Sequence, residues 1–179
     1  MKTIIKTNLL ATALILCTAF TGLAQKYAFV DTEYILKNIP EYNDAQSLLD
    51  DMAAEWQKEI EDKYTEIDQL YKSYQAEVVL LPEEMKKKRE DEIIKKEQAV
   101  KELQRQRFGK DGDLFKKRQE LIKPIQEKIY NAIEEMAVQQ NYAIIFDKAG
   151  SLSMLYANEK YDLSDDVLTK LGYSFDSGK

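Results

Sequence analysis

The sequence has no histidine and a single cysteine, Cys17, among 179 residues. Without histidine, no Ser-His or Cys-His nucleophilic pair and no histidine-bearing zinc site can be built. Cys17 lies inside an N-terminal apolar run, so the chain beyond it holds no thiol and no disulfide. Six glycines and three prolines leave long stretches free of helix breakers. The one glycine-lysine cluster, Gly109-Lys110-Asp111-Gly112, lacks the flanking strand, the spacing and the Ser/Thr of a phosphate-cradling loop. Carboxylates are plentiful, but Asp111 and Asp113 do not fit the twelve-residue calcium loop. Carboxylates strewn along helix faces are ordinarily just solvated. The residues point to no catalytic site, no metal and no cofactor, so an enzyme is not expected.

What is present is helix-forming sequence, 44% hydrophobic and 32% charged. The first 24 residues read as a cleavable leader. Lys2 and Lys6 supply a basic start, residues 9–20 an apolar run, and Gly22-Leu23-Ala24 a small-residue cleavage site after Ala24. The run is shorter than a usual membrane span. A lipid anchor on Cys17 is disfavoured by the bulky Leu16 before it. The leader implies export out of the cytoplasm. Removing Lys2 and Lys6 leaves 24 Lys and Arg against 32 Asp and Glu, a net charge of −8. Such an acidic balance argues against nucleic acid as a partner.

Residues 41–140 organise the rest. Apolar residues recur there at spacings of three and four, with one break near Leu81-Pro82. This predicts a long antiparallel helical hairpin. In the ascending arm the expected seam is Tyr64, Ile67, Tyr71, Tyr74, Val78 and Leu81, a heptad pattern. Below it, Leu49, Met52, Trp56, Ile60 and Tyr64 carry a stutter. The arm would be about 60 Å long at ~1.5 Å per residue. Pro82 suits a first helical position, with Glu83 and Glu84 where the helix dipole favours anions. The descending arm has a thin upper seam at Met85, Ile93, Val100 and Leu103. Its lower seam is stronger: Phe115, Arg118, Ile122, Ile125, Ile129, Ala132 and Met136. Between the two lie Gly109 and Gly112, a predicted hinge opposite Met52, Ala53 and Ala54. Pro124 is a second candidate kink. The ascending arm carries 3 basic and 11 acidic residues, and the descending arm 15 and 13. Opposed arms of different sign pair favourably.

The flanks, 25–40 and 141–179, predict a small β-containing oligomerisation body. Lys26-Tyr27-Ala28-Phe29-Val30-Asp31 and Tyr142-Ala143-Ile144-Ile145-Phe146-Asp147 are short, apolar, β-prone runs. Residues 152–157 read as a further strand, giving a β-hairpin with 142–147. Thr32 is the expected cap of a short helix that Pro40 ends, Asn43 or Asp44 of the ascending arm, and Ser164 of a last helix closed by Gly172. The tail from 174 is expected to fray. The fold class is thus mainly α with a small β body. A hundred residues in two arms cannot wrap one globular core, so association is expected.

A two-helix seam needs two apolar positions in seven, and some apolar residues fall outside it. Leu70, Val79, Leu80, Ile94, Phe108 and Leu114 are the candidate client contacts, with Leu121 beside them. Lys86-Lys87-Lys88-Arg89 is the one basic run, suited to weak contact with anionic lipid or to steering acidic clients. Taken in order, the leader, the 26–31 strand, the charged hairpin, the 142–157 region and Tyr161-Asp162-Leu163-Ser164-Asp165-Asp166-Val167-Leu168 resemble the Skp/OmpH family of periplasmic chaperones. The resemblance spans nearly the whole chain after the leader. It implies a homotrimer whose strands share a central body and whose arms enclose a cavity. It also implies ATP-independent holding of unfolded outer-membrane β-barrel proteins. Familiar members are strongly basic, whereas this chain has a sequence pI near 4.9. The other class weighed is a structural spacer or the hairpin of an envelope adaptor, for which only the short segment after 140 would supply the β-domain.

Overall fold

The computed structural model describes residues 25–150 and 154–173. The expected leader at 1–24 and the tail from 174 lie outside the described residues. The chain runs β1 (Lys26–Val30), α1 (Thr32–Lys37), α2 (Pro40–Glu77), α3 (Glu83–Phe108), α4 (Asp113–Gln140), β2 (Tyr142–Asp147), a 3-10 turn (Glu159–Tyr161) and α5 (Ser164–Lys170). It is mainly α: a long helical hairpin standing on a small two-stranded sheet.

The strands pair in parallel, from Lys26 with Tyr142 to Val30 with Asp147. Parallel neighbours require a crossover, and here the crossover is the entire arm. The expected β-hairpin is corrected. Residues 154–158 form no strand, and 151–153 lie outside the described residues. β1 pairs with one edge of β2 and also bridges to Asp162, the Leu163 amide donating to the Phe29 carbonyl at 2.9 Å. The expectation that the first strand is buried on both faces holds only for Ala28, Phe29 and Val30, since Lys26 and Tyr27 are exposed.

Three caps also differ from expectation. Asp31, not Thr32, caps α1, its carboxylate accepting from the Tyr34 amide at 2.9 Å. Pro40 does not merely end α1. It opens α2, before Asn43 and Asp44, because a proline in the first turn gives up an N–H that has no helical partner anyway. Ser164 lies within α5, and the Asp162 carboxylate accepts from its amide at 2.9 Å. Gly172 does follow the last helix, at φ +87, a left-handed conformation that suits glycine.

The core is in three parts. The base cluster joins Ile35, Ile39, Ile125, Ile129, Val167 and Leu168 among others, all from elements around the sheet. Full burial of each such side chain is worth about 1.5–3 kcal/mol. A short cluster above it holds Ala45, Leu49 and Ile122. The upper arm has its own, built on Ile60, Ile67, Tyr74, Ile93 and Val100.

The seam differs in detail from the one the spacing suggests. Ile60, Ile67 and Tyr74 are buried at heptad intervals, while Tyr64 and Tyr71 are exposed. A tyrosine at the rim keeps its hydroxyl in water, and Leu70 packs inward instead. Met85 is exposed above Ile93. Phe115 is 45% exposed, against the expectation of burial, although Ile122, Ile125 and Ile129 are buried. At its level Leu114 and Leu121 pack toward Ala45 and Leu49, which turns Phe115 outward. Arg118 is exposed as well. Helix α4 continues through Pro124 without interruption.

Candidate functional site

Between α2 and α3 the chain turns at 78–82. Val78 and Leu81 pack onto the upper-arm cluster and close the turn. Val79 and Leu80 do not: they are 87% and 86% exposed at the end of the arm. These two aliphatic side chains stand side by side on a turn that needs neither for its own packing, a small apolar patch at the end of the arm.

The other candidate contacts divide. Ile94 is half-exposed on α3. Leu70 and Phe108 pack into the upper cluster, and Leu114 into the short one. The basic run divides too. The Lys86 ammonium lies 2.7 Å from Glu83, and Arg89 approaches Glu77 at 3.9 Å. Lys87 and Lys88 are exposed and enter no ion pair among the described residues. Glu84, Asp91 and Glu92 line the same open groove as these two lysines.

Along the arm, polar ties cross between helices. Lys96 meets Glu66 at 2.7 Å, which lowers the Glu66 carboxyl through the hydrogen bond and then the charge of Lys96. Tyr74 donates to Glu90, and that bond, followed by burial, pushes the Tyr74 phenol up to about 12. At Gly109 and Gly112 the helix breaks. Added to Gly112, a Cβ would lie 2.7 Å from the Gln106 carbonyl oxygen. One on Gly109 would run into the Arg105 carbonyl. Phe108 meets Trp56 edge-on with ring centroids 6.3 Å apart, which puts the break beside that part of α2.

At the platform, Tyr27, Ala28, Phe29, Phe146, Met154 and Leu155 help line an open groove of about 870 Å³. Leu155 is 99% exposed and Tyr156 82%. Among the described residues no group of three or more Cys, Asp or Glu is placed to hold a metal ion. Asp113, weighed as a calcium ligand, is instead engaged by Arg107 at 2.8 Å.

The family model described as "Outer membrane protein (OmpH-like)" matches residues 26–171. The chain belongs to the OmpH-like family. An uncharacterized protein of Aquifex aeolicus (strain VF5) is 29% identical over 159 residues, 89% of this chain and 93% of that one. The crystal structure of a candidate OmpH-like outer membrane chaperone from Caulobacter crescentus CB15 matches with a TM-score of 0.67. It covers 87% of this chain and 91% of its own at 13% identity. At that identity the likeness speaks for the fold.

In this OmpH-like chain the sequence reading missed Leu155 and Tyr156 as surface residues, because it placed them in a paired strand. It also missed Arg107 and Trp56 as partners. Their types gave a signal, a lone tryptophan and an arginine two residues before Gly109, but nothing in their spacing said they would meet.

Proposed function

We propose that the chain is an ATP-independent holdase of the periplasm that binds unfolded outer-membrane β-barrel proteins and prevents their aggregation. The observation that carries this reading is the exposure of Val79 and Leu80 at the far end of a rod anchored on a small platform. Each such contact is weak, so a client held at several of them can leave without an energy source. Val79, Leu80 and Ile94 are the contact residues. Leu70, Phe108 and Leu114 serve the arm rather than the client.

The chain works as a homotrimer. Leu155, Tyr156 and the groove beside Phe29 form the surface on which copies meet, and the three arms surround the client. Lys87 and Lys88 let the tips touch anionic headgroups weakly. The leader is removed after Ala24, so the secreted protein begins at Gln25.

The test is dilution of a urea-denatured outer-membrane barrel protein into buffer with the mature protein in excess and no nucleotide. Light scattering should stay low, and the chaperone's own mass in solution should correspond to three chains. Full aggregation at several-fold excess of trimer rejects the holdase reading. A one-chain mass rejects the enclosed client.

A further inference from the structure

We infer that Arg107 is a clasp that fixes the angle of the arm at the 109–112 break, and that this joint is stiffened by charge and ring stacking in place of a fully buried aliphatic core. The break is where the arm's hydrophobic core is interrupted. Below it the short cluster uses Leu49 and Ile122, with Leu114 against them. Above it the long cluster begins at Ile60, with Phe108 against it. On α2 the stretch between Leu49 and Ile60 has no fully buried side chain: Met52, Ala53 and Trp56 are half-buried, and Trp56 meets Phe108 edge-on. Opposite, the chain gives two glycines that cannot take a Cβ without striking backbone. Bending at this level therefore opens the Trp56–Phe108 contact and no fully buried aliphatic cluster.

One side chain spans the gap. The Arg107 guanidinium lies over the Trp56 ring at 4.6 Å. It reaches Asp113, the first residue of α4, at 2.8 Å and approaches Glu59 of α2 at 3.8 Å. Three helices thus meet on one cation. The fork geometry of arginine allows this, and an ammonium would not reproduce it. The Arg107 side chain is only 26% exposed, so its contacts are partly sheltered from solvent. Its Nε is buried with no hydrogen-bond partner among the described residues. An unmet buried donor works against the closed arrangement, so the clasp holds with less than its full capacity. Released, the upper arm bends about α2, which alone runs unbroken past this level. If the holdase reading stands, Arg107 sets how wide the arms open. The inference itself concerns the arm without client.

The experiment uses the mature protein, which has no cysteine of its own. Gln98→Cys and Gln119→Cys place spin labels on exposed sites above and below the break, about 30 Å apart by helical rise. Labelled protein is diluted with unlabelled so that only distances within one chain are read by pulsed dipolar spectroscopy. In dilute salt the parent should give one narrow distribution. Arg107→Gln and Asp113→Asn should each broaden it and shift its mean. Raising salt to about 1 M, where the screening length falls to ~3 Å, should broaden the parent. Lys96→Gln, which removes a cross-arm ion pair higher up, should leave it narrow. Arg107→Lys should restore only part of the narrowing, since it keeps the charge and loses the fork. Unchanged distributions in both clasp variants, at unchanged helix content, overturn the inference, as does broadening by Lys96→Gln to the same extent. Aggregation assays on the same proteins are scored separately, so loss of holding with a rigid joint counts against the function and not against the clasp.

Discussion

The Asp147 carboxylate accepts two hydrogen bonds from Thr32, one from its amide at 3.2 Å and one from its hydroxyl at 2.7 Å. It also accepts from the Ala149 amide at 3.0 Å. The end of β2 is thereby tied to the start of α1, where the Asp31 amide is bound by the Ser164 hydroxyl at 2.8 Å. Asp147→Ala strands these donors at a part-buried junction. It should lower stability to urea by about 1–2 kcal/mol, without changing the helix content of the folded protein. A midpoint equal to that of the parent would mean that water replaces the carboxylate at no cost.

The lower seam gives a paired prediction. Ile122→Ala, at a buried position facing Leu49, should cost about 2–4 kcal/mol by lost burial and the cavity left behind. Phe115→Ala, seven residues away on the same helix, should cost under about 1 kcal/mol, because that ring is already half in water. Thermal melts of the two variants should separate clearly. Equal losses would place Phe115 in an interface between copies.

Tyr74 gives a pH prediction. Its folded pKa is raised from 10.0 to about 12, chiefly by donation to Glu90. The stabilisation from that bond is fully present below pH 10 and is lost as pH rises through about 12. Tyr74→Phe should therefore be less stable than the parent at neutral pH. The gap should close toward the alkaline end, and the ultraviolet phenolate titration should lose one late step. A difference that persists unchanged at high pH would trace the loss to packing and not to the proton.

At the tip, Val79→Ser with Leu80→Ser should leave the melting curve within about 0.5 kcal/mol of the parent, since neither side chain packs on the arm. Suppression of client aggregation should weaken. Retained suppression would move the contact surface to Ile94 or elsewhere on the arms.

The long helices were legible in the sequence because breakers are scarce and apolar residues repeat at three and four. The break at Gly109 and Gly112 was legible for the same reason in reverse. Which flank of the repeat turns inward was not: Tyr64 and Tyr71 satisfy the spacing, but a phenol at the rim gains from water while Leu70 does not. Strand partners were the least legible. A short apolar run such as Tyr142–Asp147 states that it will be paired but not with what, and its partner lies at the opposite end of the chain. Caps slipped by one residue at Asp31 and Leu163 and by four or five at Ile39, where Pro40 opens the helix ahead of Asn43 and Asp44.

Because β1 and β2 lie side by side with the whole arm between them, assembly of the platform has a built-in delay. Thr32 and Asp147, which are bonded across that junction, are 115 positions apart. Local helix contacts form quickly, whereas pairing across so long a separation waits on closure of the loop. Until the strand Tyr142–Asp147 is in place, Ala28, Phe29 and Val30 lack the neighbour they pair with. For that interval the incompletely folded chain bears the kind of unpaired β-prone segment that invites aggregation.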